Sequence, residues 1–419
     1  MERKKAKIMN ARNITFHRWR QYVLVVMVLL IPFYPKWLTP LIILNLIFCF
    51  MENPKAFSIK EIIHNKPFLF LILFYLYHIV GLFWTSNFSY AGLDGQLKLP
   101  LLLLPLTFLP GNGISTFQKH QLFSIFVYSL ASAVLFCIIR AVWFYFSEGA
   151  NYFLYKDFSY FIHPGYFSMF LCFGCALIFH KIVKLNSDFN SSIQIAGTLV
   201  LMALYVLGII LLASKSGIFV LLLLLAMFIG FSLLKLKRLK FQLAAFLFIL
   251  IGSVLYFSFY SNVTSTRMVE MSNAVTTAPA AEVHSTGMRI QAWESTFELV
   301  KLNPVFGTGT GDIKDELVKM YDQKGFEEIF KLRLNAHNQF LQSFAALGII
   351  GFMLLVLALM AATVNAFKSK NGLAAMFLIV VTLNMLTESI LEVSAGSVFV
   401  AVFFAILFSN TSDHQHLKS

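Results

Sequence analysis

"SGIFVLLLLLAMFIGFSLL", residues 216–234, holds no charged side chain. A helix of about 20 apolar residues spans the ~30 Å hydrocarbon core of a bilayer. In lipid every backbone N–H and C=O has to be paired internally, and a helix does this with its own chain. The stretch therefore reads as a transmembrane helix. It begins at the short polar turn "ASKSG" (213–217), and another apolar run, near 193–213, lies just before that turn.

The same reading extends along the chain. Of its 419 residues, 58% are hydrophobic and 13% charged, where a soluble chain carries about 25% charged residues. Hydropathy suggests about twelve spans. They lie near 22–34, 37–51, 67–85, 98–109, 121–147, 159–180, 193–213, 216–234, 241–260, 339–367, 373–388 and 397–409. The expected fold is an all-α polytopic bundle with no internal repeat. Residues 1–260 form nine helices behind a basic start, 261–338 form a long polar loop with helices of its own, and 339–419 form three more helices.

The formal net charge of +13 would suggest nucleic acid in a soluble protein. Here it reads as topology. Short cytoplasmic loops collect Lys and Arg. With the N-terminus inside, the short outside loops hold only Lys36, Lys98, Lys156 and Lys215. Both termini are then cytoplasmic and the long loop is outside. The start "MERKKAKIMNARNITFHRWR" shows no small-residue cleavage pattern. Cys49, Cys137, Cys172 and Cys175 lie in apolar runs and imply packing rather than disulfides.

A loop of this length in a compact protein needs internal structure. "TGMRIQAWESTFELVKLNP" (286–304) predicts a helix capped by Ser285 or Thr286, with Ile290, Trp293, Phe297 and Val300 as its apolar stripe. Asn303-Pro304 ends it. "GTGTG" (307–311) predicts a flexible turn. A second helix, "DIKDELVKMYDQK", follows and stops at Gly325, with Asp312, Asp315 and Glu316 suiting its N-terminal dipole.

Ionisable residues in spans point to function. His78, Arg140, His163, Lys215, His337, Glu388 and Glu392 all fall in the outer half of the expected bundle. A transporter concentrates such groups near the midplane of repeated halves, so outer clustering points to chemistry at the extracytoplasmic surface. No H-E-x-x-H, phosphate-loop or D-x-D pattern occurs. Lys215, Arg289 and His337 are instead cations and donors suited to an anion. Arg supplies a rigid fork and Lys a point charge. A His near a helix start can contact the anion or take a proton near neutral pH. His337-Asn338 also reads simply as a helix cap.

These residues resemble the O-antigen ligases and related Wzy-type glycan polymerases, over roughly 200–395. "GMRIQAWESTFELVKLNPVFGTGTG" looks like the family's loop segment and "AHNQFLQSFAALGIIG" like its His-Asn motif. "LLASKSGIFVL" is similar to its Ser-Arg-Gly turn and "NMLTESILE" to its late Glu-Ser segment. The resemblance implies a GT-C-type glycosyltransferase of the bacterial inner membrane that needs no metal or cofactor. Its donor would be a polyprenyl-pyrophosphate-linked glycan and its acceptor the hydroxyl of a lipid A-core or another glycan, among membrane lipids and without nucleic acid. It implies Arg289 and His337 as catalytic, Lys215, Arg289 and Asn338 as pyrophosphate-binding, and Arg140, His163 and Glu388 as supporting. Lys215 departs from the family's arginine. The alternatives are a repeat-unit polymerase and, in other classes, a flippase or transporter or a membrane scaffold.

Overall fold

The computed structural model describes residues 11–53, 57–109, 113–185, 192–236, 240–260 and 285–409. Much of the basic N-terminal tail, Lys55, residues 237–239 and 261–284, and Lys418 lie outside them. Among the described residues the chain is helical, with no strand.

The expected apolar segments fall on helices α1 (Ala11–Leu30), α2 (Leu38–Glu52), α4 (Lys66–Val80), α5 (Phe88–Thr107), α6 (Thr116–Glu148), α8 (Pro164–Leu185), α9 (Ser192–Leu212), α10 (Lys215–Lys235), α11 (Lys240–Tyr260), α15 (Gln339–Lys368), α16 (Gly372–Thr387) and α17 (Ser394–Phe408). Short helices α3 (Ile59–His64) and α7 (Tyr155–Phe158) lie between them. Among the described residues, eight helices are long and apolar enough to cross a membrane, and α16 and α17 are shorter apolar helices. The protein is thus a polytopic helical membrane protein, and the expected number of about twelve full spans exceeds what length and composition carry. Helix α5 also begins ten residues earlier than the expected span at 98. Lys98, read as a loop lysine, is buried inside it.

An aromatic core ties α6, α8, α16 and α17 together. Phe126 and Phe403 lie 4.5 Å apart between ring centres, Phe170 and Phe399 also 4.5 Å, and Phe377 packs against Phe173 at 5.2 Å. Rings at such separations add to the apolar area they bury. All four cysteines are buried and unbridged.

Helix α15 is not one straight span. Gly348 sits at φ 64°, ψ −166°, outside helical geometry, in backbone space open essentially to glycine. The break frees carbonyls that a continuous helix would use. Those of Ala345 and Ala346 accept from Thr308 and Gly309 at 2.9 Å, and Ile349 donates to Pro304 at 2.9 Å. The loop backbone is spliced into the helix, and the groups freed by the break find partners within the protein. The "GTGTG" stretch is therefore not a loose turn. Its Thr310 hydroxyl donates to the His78 carbonyl at 2.7 Å, and Gly311 donates to Thr85 Oγ1 at 3.2 Å.

The long loop supplies α12 (Ser285–Leu302), α13 (Ile313–Gln323) and α14 (Glu327–Leu332). The buried face of α12 is Ala292, Ser295, Thr296, Leu299 and Val300, while Phe297 is exposed. Of the expected stripe, Val300 is buried, Ile290 and Trp293 are half-buried and only Phe297 faces out, because the small residues of this face let α12 sit closely on α15. The Asp312 carboxylate turns away from its own helix and accepts from the backbone N–H groups of Ser86 and Asn87, both at 2.7 Å.

Candidate functional site

Three helix starts and one helix end meet on one face of the bundle. Helix α8 begins just after His163, α10 begins at Lys215, α15 begins after Asn338, and α16 ends just before Glu388. The first turn of a helix presents unpaired N–H groups and a partial positive charge. Three starts against one end, which carries the opposite partial charge, leave a positive balance there.

Local sequence explains each start. Ser214 caps α10 by accepting from Gly217 N at 3.4 Å. A Cβ at Gly217 would collide with the Ser168 side chain, so glycine lets α10 close on α8. Asn338 caps α15 by accepting from Phe340 N at 3.0 Å and Leu341 N at 3.1 Å, while its amide donates to the Leu386 carbonyl at 3.1 Å. Its N–H donates to Ser389 Oγ at 3.2 Å. The Asn338 side chain is thus engaged in tying α15 to the end of α16.

Glu388 is the hub. Arg289 Nη2 pairs with one of its carboxylate oxygens, and His337 Nδ1 bonds the other at 2.9 Å. Burial alone would raise the Glu388 carboxyl. The His337 hydrogen bond and the Arg289 charge outweigh it and hold Glu388 below its ordinary value. An ionised carboxylate only accepts hydrogen bonds. His337 Nδ1 therefore carries the hydrogen, and Nε2 is left as the ring's basic atom in the neutral form.

His337 also has a left-handed backbone, φ 44°, a region a few per cent of non-glycine residues occupy. The conformation is held locally. The His337 N–H donates to Asn335 Oδ1 at 3.0 Å, and its carbonyl accepts from Trp293 Nε1 at 3.3 Å. Helix α12 thus contributes Arg289 to the carboxylate and Trp293 to the histidine backbone.

Lys215 Nζ donates to Thr286 Oγ1 at 3.0 Å. Lys215, Arg289, Glu388, His163, Tyr155 and Ser214 line one small cavity of about 20 Å³, room for one water. Two fixed cations face one carboxylate there, so the site is net positive. His163 accepts from Gly165 N at 3.2 Å through Nδ1. Burial lowers its pKa, with Glu388 opposing and Lys156 and Arg289 reinforcing the shift.

Residues 199–356 match the family model described as O-antigen ligase. Over that segment the chain is similar to the O-antigen ligases. No curated protein matches the chain. The matched segment holds Lys215, Arg289, His337 and Asn338. His163 and Glu388 lie outside it and reach the same site through the fold.

The structure does not bring Arg140 into this group. Its guanidinium donates to the Asp157 carbonyl at 2.7 Å and lies 4.8 Å and 5.0 Å from the centres of the Tyr152 and Tyr160 rings. It holds the 150–160 segment against α6.

Sequence reasoning singled out Glu392 but missed the group it forms behind the Glu388 site. Lys98 bonds Asp94 within α5 and Glu392 Oε2 at 2.8 Å, with all three side chains largely covered. Gln339 reaches Glu392 Oε1 at 3.2 Å and accepts from Leu391 N at 2.7 Å. The network clamps the turn 388–393 that presents Glu388. The i,i+4 spacing of Asp94 and Lys98 was the available signal.

Proposed function

We propose that this protein transfers a glycan from a polyprenyl-pyrophosphate carrier to an acceptor hydroxyl at the extracytoplasmic face of the bacterial inner membrane. The observation that carries this reading is the single carboxylate, Glu388, shared between Arg289 and His337 beside Lys215. Cations and helix starts suit the diphosphate of the donor. The His337–Glu388 pair suits proton removal from the attacking hydroxyl.

The step balances as a direct displacement. The acceptor oxygen attacks the anomeric carbon and forms the new glycosidic bond. The bond from that carbon to the pyrophosphate oxygen breaks, and the electron pair leaves with the polyprenyl pyrophosphate. The hydroxyl proton passes to His337 Nε2. Arg289 and Lys215 stabilise the charge that grows on the leaving oxygen, where preorganised donors act most strongly. Attack opposite the leaving group inverts the anomeric centre.

A cavity with room for one water is too small for a pyrophosphate. The donor therefore has to part α12 from α10, and the Lys215–Thr286 hydrogen bond is the contact that opens. The donor phosphates then replace Thr286 on Lys215 and compete with Glu388 for Arg289. Asn338 has a positioning role, since capping and the Leu386 bond occupy its side chain.

Reconstitution of the purified protein with lipid-linked glycan and separate hydroxyl acceptors tests the reading. Arg289→Ala and His337→Ala abolish transfer if it is right, and wild-type rates in both variants overturn it. Product size separates two uses of the centre. One added block on a different acceptor marks a ligase, and a ladder on the lipid carrier marks a repeat-unit polymerase.

A further inference from the structure

A second concavity opens at the loop splice, away from the cationic centre. It encloses about 510 Å³ and is lined by Trp84, Phe306, Asn303, Thr308, Asp312 and Glu316. That volume falls within the range of small-ligand sites.

Its walls are fixed. Trp84 follows α4 at the end of a short 3-10 turn, and its ring packs on Phe306 with centres 5.7 Å apart at 61°. The Thr308 backbone is tied to Ala345, and the Asp312 carboxylate is tied to the N–H groups of Ser86 and Asn87. Side chains held this way keep their places without a ligand, which lowers the ordering cost of binding. Phe306 is nevertheless 58% exposed and Asn303 is exposed, so the ring is presented rather than used up in packing.

The chemistry of the lining differs from that of the transfer centre. Lys215 and Arg289 suit an anion. Here two carboxylates, Asp312 and Glu316, line the space, with Lys319 pairing Glu316 at 2.6 Å. Such a groove repels a pyrophosphate. Carboxylates accept from O–H donors, the Asn303 amide can donate and accept, and the Thr308 hydroxyl, which donates to the Ala345 carbonyl at 3.2 Å, can still accept. Aromatic faces beside them accept the apolar C–H face of a pyranose ring. Flat rings together with acceptor-rich side chains fit an uncharged, hydroxyl-rich sugar segment.

The groove is linked to the centre by a rigid element. His337 and Asn338 precede α15, and Ala345 and Ala346 of the same helix hold Thr308 and Gly309. At 1.5 Å per residue, the first eight residues of α15 span about 12 Å. We infer that the groove between Trp84 and Phe306 is an oligosaccharide subsite, holding part of a glycan whose reacting end lies at His337. The inference rests on the transfer reading for its purpose, but not for its binding chemistry.

The experiment uses the full chain in lipid nanodiscs. The probe is the oligosaccharide released by mild acid from the host's lipid-linked glycan. Saturation-transfer NMR reads its binding to wild type, Phe306→Ala and Phe306→Trp. In parallel, transfer kinetics are measured with donor and acceptor varied separately. The expected result is binding to wild type and Phe306→Trp, a roughly tenfold weaker signal for Phe306→Ala, and a KM increase of similar size for one substrate. Whichever substrate shows the increase occupies the groove. Equal oligosaccharide binding by wild type and Phe306→Ala overturns the subsite, as does a Phe306→Ala variant that loses thermal stability alone, which marks an interfacial anchor. If wild type binds the oligosaccharide in a Phe306-dependent way but transfers nothing, the transfer reading fails and the subsite stands.

Discussion

His337 Nδ1 and Glu388 Oε2 lie 2.9 Å apart, although 51 residues separate them in the chain. The pair fixes which ring nitrogen carries the hydrogen and aims the other. An acid that orients a histidine base stabilises the imidazolium formed during proton transfer. Glu388→Gln keeps the shape and removes that charge. It should lower kcat by about 10²–10⁴, the range of general base catalysis, with a smaller change in donor KM. Transfer rates at saturating donor measure this, and a wild-type kcat would remove Glu388 from the reaction.

Lys215 is the first residue of α10, in the turn that the resemblance pairs with an arginine-bearing one. Its Nζ is held by a hydroxyl, Thr286 Oγ1, which a phosphate oxygen can replace. Lys215→Met should raise donor KM about tenfold or more and flatten its salt dependence. Lys215→Arg should retain most activity, because the charge stays and a bidentate fork is added. A Met variant with unaltered donor KM would place the pyrophosphate elsewhere.

The pH dependence of stability follows from two shifts of opposite origin. Glu388 is held below its ordinary value, so its pairs are complete above the unfolded pKa of about 4.3 and are lost as pH falls through the lower folded value. The stability difference between wild type and Glu388→Gln should stay level from pH 7 to 5 and shrink only below about 4.3. His163 is lowered by burial, so its neutral ring favours the fold above the unfolded value of about 6.5, and that contribution is lost as pH falls. His163→Gln should flatten the decline in melting temperature on acidification below about 6.5. Thermal melts of the three proteins across pH 4–8 check both signs.

Gly348 is a test of the splice. Any Cβ there would strike the Val305 carbonyl, and the residue's φ and ψ suit glycine alone. Gly348→Ala should cost about 1–3 kcal/mol in backbone strain, beyond the loss of the Pro304–Ile349 bond. Because Thr308 and Gly309 hang from the same break, limited proteolysis should cut the 303–311 loop faster in the variant. Equal protection would mean that the splice does not hold the loop.

The helices were legible because lipid imposes long apolar runs, and "SGIFVLLLLLAMFIGFSLL" could be nothing else. His337, Arg289, Lys215 and Glu388 were each visible as polar groups at apolar borders. Their meeting at one carboxylate was not visible, since Glu388 reaches α12 and His337 only after α15 and α16 pack. The break at Gly348 was hidden for a similar reason. The partners of the freed carbonyls lie about 40 residues upstream, and "AALGIIG" reads as ordinary helix. Phe88–Thr107 was read short because Asp94 and Lys98 look like loop residues until Glu392 joins them.

That buried group gives the last prediction. Lys98 sits between Asp94 and Glu392 with 2% of its surface exposed. Removing one partner from a buried ionic cluster typically costs about 3–5 kcal/mol, because the remaining charge loses its compensation. Lys98→Met should therefore destabilise strongly. Replacing the whole group, as Lys98→Met with Asp94→Asn and Glu392→Gln, should recover much of the loss. Recovery of stability need not restore activity. Glu392 and Gln339 clamp the turn that carries Glu388, and an amide at position 392 no longer draws Lys98 and Gln339 together by charge. The triple variant should melt close to wild type yet keep a reduced kcat. If stability and kcat return together, the cluster serves the fold alone, and Glu388 is positioned without it.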